Sequence, residues 1–272
     1  MIITSENYFS REAMEAYLSV SQFKNFAGTP IEPWLGCPAR AMAELRGEWK
    51  EEMSTALLVG SYVDAHFEGT LGVFKAQHPE ILKKNGELLA TFEKANEIIA
   101  RIERDPFMVE TLSGKKQVIM TAELFGVPWK IMIDSFFPGE AIVDLKIMAS
   151  ITDDFYVRDK ESPSGGGFRV DFIDKWGYSI QAAVYQKVVE INTGKQLPFF
   201  IAAASKEKEP DIEVIAFRQL ELDCTIDFVQ TNIDRVMDIK KGIIQPEICG
   251  YCDYCKNTKK LSVPIYREHI KK

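Results

Sequence analysis

The stretch Ile131-Met132-Ile133-Asp134, followed after Pro138-Gly139 by Ile142-Val143-Asp144-Leu145-Lys146-Ile147, decides how this sequence is read. Both runs are apolar around single charged residues, and a Pro-Gly pair is a turn former because Pro presets φ and Gly accepts φ > 0. Working outward, residues 117–125, 129–137 and 141–147 read as three strands joined by tight turns at 126–128 and 138–139, an antiparallel meander. Such a turn sets the strands carrying Asp134 and Asp144 side by side, so two carboxylates converge. Their oxygens are the hard ligands that Mg²⁺ and Mn²⁺ prefer. Residues 144 and 146 share a strand face, which puts the Lys146 ammonium beside any water held there, and the Leu145 carbonyl is a further oxygen. Alone, Asp-x-Lys on a strand is an ordinary surface ion pair. The flanks Ile142, Val143, Leu145 and Ile147 bury this one, and charges are rarely buried without a task.

The rest of the chain surrounds this meander with helices. Ser21 reads as the N-cap of a short helix in Ser19-Val-Ser-Gln-Phe-Lys-Asn-Phe26, which also explains the Ser21-x-x-Lys24 spacing. A turn follows at residues 29–33, and Pro38 opens a helix to about Arg46. Helical patterns cover residues 55–69 and 84–104, the second with Leu88, Leu89, Phe92, Ala95, Ile98, Ile99 and Ile102 at helical spacing. Past the meander, residues 152–174 are polar and broken by Ser162-Pro-Ser-Gly-Gly-Gly167, which reads as a mobile loop. A helix at 174–192, strands at 199–204 and 212–217, and a helix at 223–240 complete the order. Helices, then βββ–α–β–β–α, predict an α/β (α+β) fold around one mixed sheet. It is expected to be one integrated domain: a helical part over 1–110, a core over 111–242 and a cysteine tail over 243–272.

Composition narrows the function classes. With 272 residues, 46% hydrophobic and 27% charged, the chain is ordinary for a globular protein. Its apolar runs are too short to cross a bilayer, and the N-terminus MIITSENYFSREA does not resemble a signal peptide, so a cytoplasmic location and no membrane partner are expected. A net charge of −7 argues against a protein that simply coats nucleic acid, but leaves room for clustered carboxylates beside a local basic groove. Five cysteines include Cys249, Cys252 and Cys255 within seven residues, the spacing of metal ligands rather than of a disulfide framework. That spacing matches three ligands of a cubane run, with Cys37 the best candidate for the fourth; a [4Fe-4S] cluster is favoured and Zn²⁺ is the competing reading. Cys224 is expected as a buried thiol on the last long helix. His78 and His269 attract no role.

Asp134 with Asp144-Leu145-Lys146 resembles the signature of the PD-(D/E)XK nuclease superfamily, and most resembles its phage-type, exodeoxyribonuclease VIII-like branch. Gln181-Ala-Ala-Val-Tyr185 fits that branch's Q-x-x-x-Y, and LSVSQFKNF with Cys37-Pro38 resembles its opening, so the resemblance spans about residues 18–260. It implies a restriction-endonuclease-like core and a metal-dependent DNA exonuclease of phage-type recombination or repair, using Mg²⁺ or Mn²⁺. Asp134, Asp144 and Lys146 would be catalytic, and Gln181 and Tyr185 would face the DNA strand. The nearer alternatives are an endonuclease or a CRISPR-adaptation-type iron–sulfur nuclease, and the more distant one is a non-catalytic DNA-binding recombination scaffold. DNA is the implied partner, with a recombination or single-strand annealing protein and a homo-oligomer as further partners the resemblance allows. One position departs from the pattern. Where related nucleases carry G-x-x-x-H-x-x-x-E, this chain has Gly60, Asp64 and Glu68, so Asp64 is expected to face the metal with Asp134, Asp144 and Leu145, supported by Glu68. His66 is two residues on, about 200° around a helix, and is expected to point elsewhere.

Overall fold

A computed structural model describes residues 1–32, 36–158, 166–264, 266 and 267. Pro138 and Gly139 form the central turn as the sequence predicts: the Glu140 N–H donates to the Phe137 carbonyl at 3.0 Å, and Gly139 adopts φ 81°. Strands β1 (Lys115–Leu124), β2 (Val127–Phe137) and β3 (Ala141–Met148) make the expected meander. The first turn is tighter than predicted. Phe125 and Gly126 both take positive φ, a two-residue hairpin turn that leaves Val127 and Pro128 inside β2. Among the described residues, strand β4 (Phe155–Arg158) pairs with β5 (Gly167–Val170) alone, as a separate two-stranded sheet. Strand β6 (Phe199–Ser205) runs parallel to β3, and β7 (Ile212–Ala216) closes the edge, giving the sheet order β1-β2-β3-β6-β7.

The β2–β3 ladder is short. Its rungs are Phe137↔Ala141, Phe136↔Ile142 and Ser135↔Val143, and it stops where the next rung would join Asp134 to Asp144. Beyond that point β3 continues along β6, pairing Asp144 with Ile201 and Lys146 with Ala203. The two strands therefore part at the acidic residues, inside an otherwise closed sheet.

Eleven α-helices occur among the described residues: α1 Arg11–Ala16, α2 Val20–Ala27, α3 Pro38–Arg46, α4 Thr55–Phe67, α5 Leu71–Gln77, α6 Ala90–Glu103, α7 Pro106–Thr111, α8 Phe172–Trp176, α9 Tyr178–Thr193, α10 Gln219–Lys240 and α11 Asp253–Thr258. Helices α4 and α6 cover one sheet face, burying Val59, Val63, Ile98 and Ile102 with Val143, Leu145, Ala202 and Ala204. Helices α2, α9 and α10 cover the other, burying Phe23, Val184, Val188 and Val229 with Trp129, Ile131, Ile142 and Ile201. The mixed α+β fold read from the element order is the fold observed.

Several boundaries differ from the sequence reading, each for a local reason. Ser19, not Ser21, caps α2, because Gln22 lies three residues on and completes a capping box with it. The helix expected from residue 84 starts at Ala90, since Gly86 at φ 83° closes a turn in which Lys83 N–H reaches the Glu87 carbonyl. The helix expected over 174–192 is two helices, broken at Gly177 in the left-handed conformation. Helix α10 begins at Gln219 and turns Cys224 outward, so that thiol is exposed rather than buried; the inward face belongs to Leu222, Thr225, Ile226 and Val229. Part of the expected loop over 152–174 is the β4–β5 hairpin, while residues 159–165 of it, Pro33 of the predicted turn and His269 lie outside the described residues.

Gly177 is a local test of this architecture. A Cβ there would meet Thr29 Cγ2 at 2.7 Å while the backbone holds φ at 60°. Gly177→Ala is expected to lower stability by about 1–3 kcal/mol, read as an earlier midpoint in urea at unchanged slope; an unchanged midpoint would contradict the break between α8 and α9.

Candidate active site and cysteine centre

Where β2 and β3 part, the backbone hydrogen bond that a further rung would make is replaced by a side chain: the Leu145 N–H donates to Asp134 Oδ2 at 3.0 Å. Asp144 is buried, with its Oδ1 accepting from Gln181 Nε2 of α9 at 2.6 Å and its Oδ2 in an ion pair with the Lys146 ammonium. Asp64 enters from α4 on the opposite layer. Its Oδ1 is enclosed and lacks a hydrogen-bond partner, and Asp144 Oδ2 has the ammonium beside it without hydrogen-bond geometry. Asp64, Glu68, Lys116, Asp134 and Leu145 line a small void of ≈ 10 Å³, about the room of a single water or ion. Asp64, Glu68 and Asp134 bring three carboxylates to that void, the oxygen ligands a hard divalent cation requires.

The electrostatics are those of crowded buried acids. Burial, and then the neighbouring Asp144 charge, push the Asp134 carboxyl up to about 7. Burial and the Asp134 carboxylate raise Asp64 well above the carboxylate range. Burial opposes the charge on Lys146, but Asp144 and Asp134 outweigh it and hold the ammonium protonated. The charges are partly balanced within the cluster, and a bound cation would complete that balance.

The cleft leading from these acids, a cavity of ≈ 450 Å³, also takes in Lys24, Lys130, Gln181 and Tyr185. The Tyr185 hydroxyl donates to the Met132 carbonyl at 3.1 Å, and Gln181 is held on Asp144, so both members of the predicted helix pair lie at the site with their polar ends engaged. His66 points away and pairs with Glu103 at 2.8 Å, as helix geometry requires. His78 caps α5 and pairs with Glu80 at 2.8 Å.

Three residues at the site carry no signal of their own in the motif. The Lys146 and Lys24 ammoniums lie 5.1 and 5.5 Å from the same Tyr178 ring, and Lys24 also donates to the Trp176 carbonyl at 2.8 Å. Burial and repulsion from Lys146 bring Lys24 down to about 8. Tyr178 could have been found from its helix face, since 178, 181 and 185 fall one turn apart. Lys24 is brought in by the packing of α2 on α9, a contact between segments over 150 residues apart. The third, Gln117 of β1, donates from Nε2 to Glu68 Oε1 at 2.6 Å and to Asp134 Oδ1 at 3.5 Å.

At the other end of α2 the four predicted cysteines meet. Cys37, Cys249, Cys252 and Cys255 present sulfurs all within 4.8 Å of one another, with Cys37–Cys255, Cys252–Cys37 and Cys249–Cys255 at 3.5, 3.7 and 3.8 Å. Among the described residues they are the group of metal-ligating side chains that closes to this spacing. Backbone N–H groups of Cys252 and Cys255 donate to the sulfurs of Cys249 and Cys252. Burial opposes ionisation of Cys249, yet these and neighbouring hydrogen bonds outweigh it and bring its thiol down to about 7. The site is anchored on Cys37, the N-cap of α3, whose N–H donates to the Asn25 carbonyl of α2.

Residues 19–258 match the PDDEXK-like domain of unknown function DUF3799. The chain belongs to that family. A crystal structure described as a "putative exonuclease" from Eubacterium rectale superimposes with a TM-score of 0.91 at 50% identity, over 98% of this chain and 97% of the other. No curated protein matches. No helix among the described residues is long and apolar enough to cross a membrane.

A pH dependence follows from Asp134. Its folded-state pKa lies above the ordinary 3.8, so the folded protein binds that proton more tightly than the unfolded chain. The associated stability is full below about pH 4 and is lost as pH rises through about 7. In EDTA at pH 8, Asp134→Asn is therefore expected to melt at least about 2–4 °C above the wild type, with the gap closing at pH 4–5. A variant that melts lower at pH 8 would show that Asp134 is not a source of charge repulsion.

Proposed function

We propose that this chain is a metal-dependent nuclease that hydrolyses phosphodiester bonds of DNA, acting from strand ends. The observation that carries the reading is the enclosed, unpartnered Asp64 Oδ1 on a carboxyl that feels the Asp134 and Asp144 charges, with Lys146 paired to Asp144 on β3. The family membership and the description of the Eubacterium rectale protein support it. Asp64, Asp134, Asp144 and the Leu145 carbonyl would hold Mg²⁺ or Mn²⁺, which supplies Lewis-acid polarisation of the scissile phosphate and a more acidic water. The remaining roles belong to this chain. Lys146, held as an ammonium, positions the attacking water, and its charge offsets that developing on the phosphate. Gln181 orients Asp144, and the Leu145 N–H orients Asp134. Lys24 faces the incoming backbone phosphate from the Tyr178 side of the cleft, and Gln181 and Tyr185 border the strand without reading sequence.

Linear duplex and single-stranded DNA, end-labelled, incubated with the protein and Mg²⁺ or Mn²⁺ are expected to release nucleotides from an end. Lys146→Ala should slow release by about 10²–10⁴-fold while DNA binding persists. Undiminished cleavage by Lys146→Ala, or none by the wild type, would overturn the assignment; cutting of covalently closed circles would replace the exonuclease reading with an endonuclease.

We further propose that the four cysteines hold one Zn²⁺. The Cys37 to Cys255 spacing along the chain fits an iron–sulfur cluster, but the sulfur positions favour a single ion. A tetrahedron with Zn–S of about 2.3 Å has edges of about 3.8 Å, and three sulfur pairs stand at 3.5, 3.7 and 3.8 Å. A four-iron cube spreads its thiolates over a much larger tetrahedron. Anaerobically purified protein is expected to contain one zinc per chain and no acid-labile sulfide; stoichiometric iron and sulfide would reverse this.

A further inference from the structure

Two non-glycine residues take positive φ among the described residues. Phe125 is in a hairpin turn, where such a conformation is ordinary. Gln117, at φ 50°, lies within β1. On either side of it the ladder is regular, with Lys116 opposite Ser135 and Val118 opposite Ile133, so Gln117 stands across from Asp134. A left-handed residue inside a strand costs free energy that strand pairing does not return, and such strain persists where the surroundings impose it.

What the conformation achieves is visible in the side chain. One amide nitrogen reaches Glu68 Oε1 at 2.6 Å and Asp134 Oδ1 at 3.5 Å, spanning the end of α4 and the centre of β2. The second oxygen of each acid is held separately: Asp134 Oδ2 by the Leu145 N–H at 3.0 Å, Glu68 Oε2 by the Thr70 hydroxyl at 3.2 Å. An amide suits this place by its charge. A lysine would neutralise the acids and compete with a cation, and a carboxylate would add to the repulsion; a neutral donor fixes both acids and leaves their charge available.

We propose that Gln117 is a positioning residue for the metal site, its strained backbone holding the amide between Glu68 and Asp134 and thereby setting cation affinity. This rests on the metal-dependent reading above. The test is Mn²⁺ titration calorimetry on the full chain, with thermal melts in EDTA, for wild type, Asp134→Asn, Gln117→Gly and Gln117→Asn. Gln117→Gly accepts φ 50° without strain, so its melting temperature is expected to hold or rise while Mn²⁺ affinity falls about 10-fold or more. Gln117→Asn keeps an amide too short to span the two acids and is expected to show the same weakened binding. A wild type that takes no Mn²⁺, or an Asp134→Asn variant that binds undiminished, would overturn the metal reading and this inference with it. Wild-type affinity in Gln117→Gly, where Asp134→Asn has lost it, would overturn the Gln117 role alone. So would a Gln117→Gly protein that melts well below wild type, because the residue would then be structural.

Discussion

The constraint on which the rest depends is the early end of the β2–β3 ladder. Three rungs follow the Pro138-Gly139 turn, and then the strands part, because β3 is committed to β6 through Met148. A backbone N–H inside a buried sheet must find an acceptor. For Leu145 that acceptor is the Asp134 carboxylate, so the opening in the sheet is stabilised by the side chain that the opening exposes. Had the ladder continued, Asp134 and Asp144 would be an ordinary cross-strand pair of like charges, which is unfavourable.

That opening lets residues from both helical layers reach one point. Asp64 and Glu68 belong to α4 on one face, and Gln181, Tyr185 and Tyr178 to α9 on the other. The resulting acids are too close and too buried to ionise independently. Lys146 offsets part of their charge directly against Asp144, and Lys24 adds a second ammonium against the same tyrosine ring, at the expense of its own proton affinity. An enclosed oxygen without a donor, as at Asp64, is expensive in a folded protein, and a cation would remove that cost.

The cysteine centre acts on the same framework from outside. It joins the tail at Cys249, Cys252 and Cys255 to the start of α3, where the Ala39 N–H also takes the Glu247 carbonyl, and Trp49 packs edge-on against Tyr254 at 5.6 Å. Through Cys37 and Asn25 it is continuous with α2, the helix that carries Lys24 to the cleft. A metal there would close a loop of more than 200 residues, which restricts the unfolded chain far more than a local clip would.

Much of this is legible in the sequence because it depends on local rules. Turn chemistry and strand parity bring Asp134, Asp144 and Lys146 together, helix periodicity separates Asp64 from His66, and cysteine spacing marks four thiols that could hold a metal. What local rules miss is set by distant packing. Ser19 wins the cap from Ser21 by a local box with Gln22, yet Gly177 breaks its helix where Thr29 leaves no room for a Cβ, a contact no local pattern records. The same holds for the spacing of the four sulfurs, for Lys24 beside Tyr178 and for Gln117, whose strained backbone has meaning only once Glu68 and Asp134 stand on either side of its amide. The sequence by itself determined which residues could carry the chemistry; the tertiary structure decided how they are oriented and balanced, because buried charge is stabilised by whatever the fold brings within a few ångströms of it.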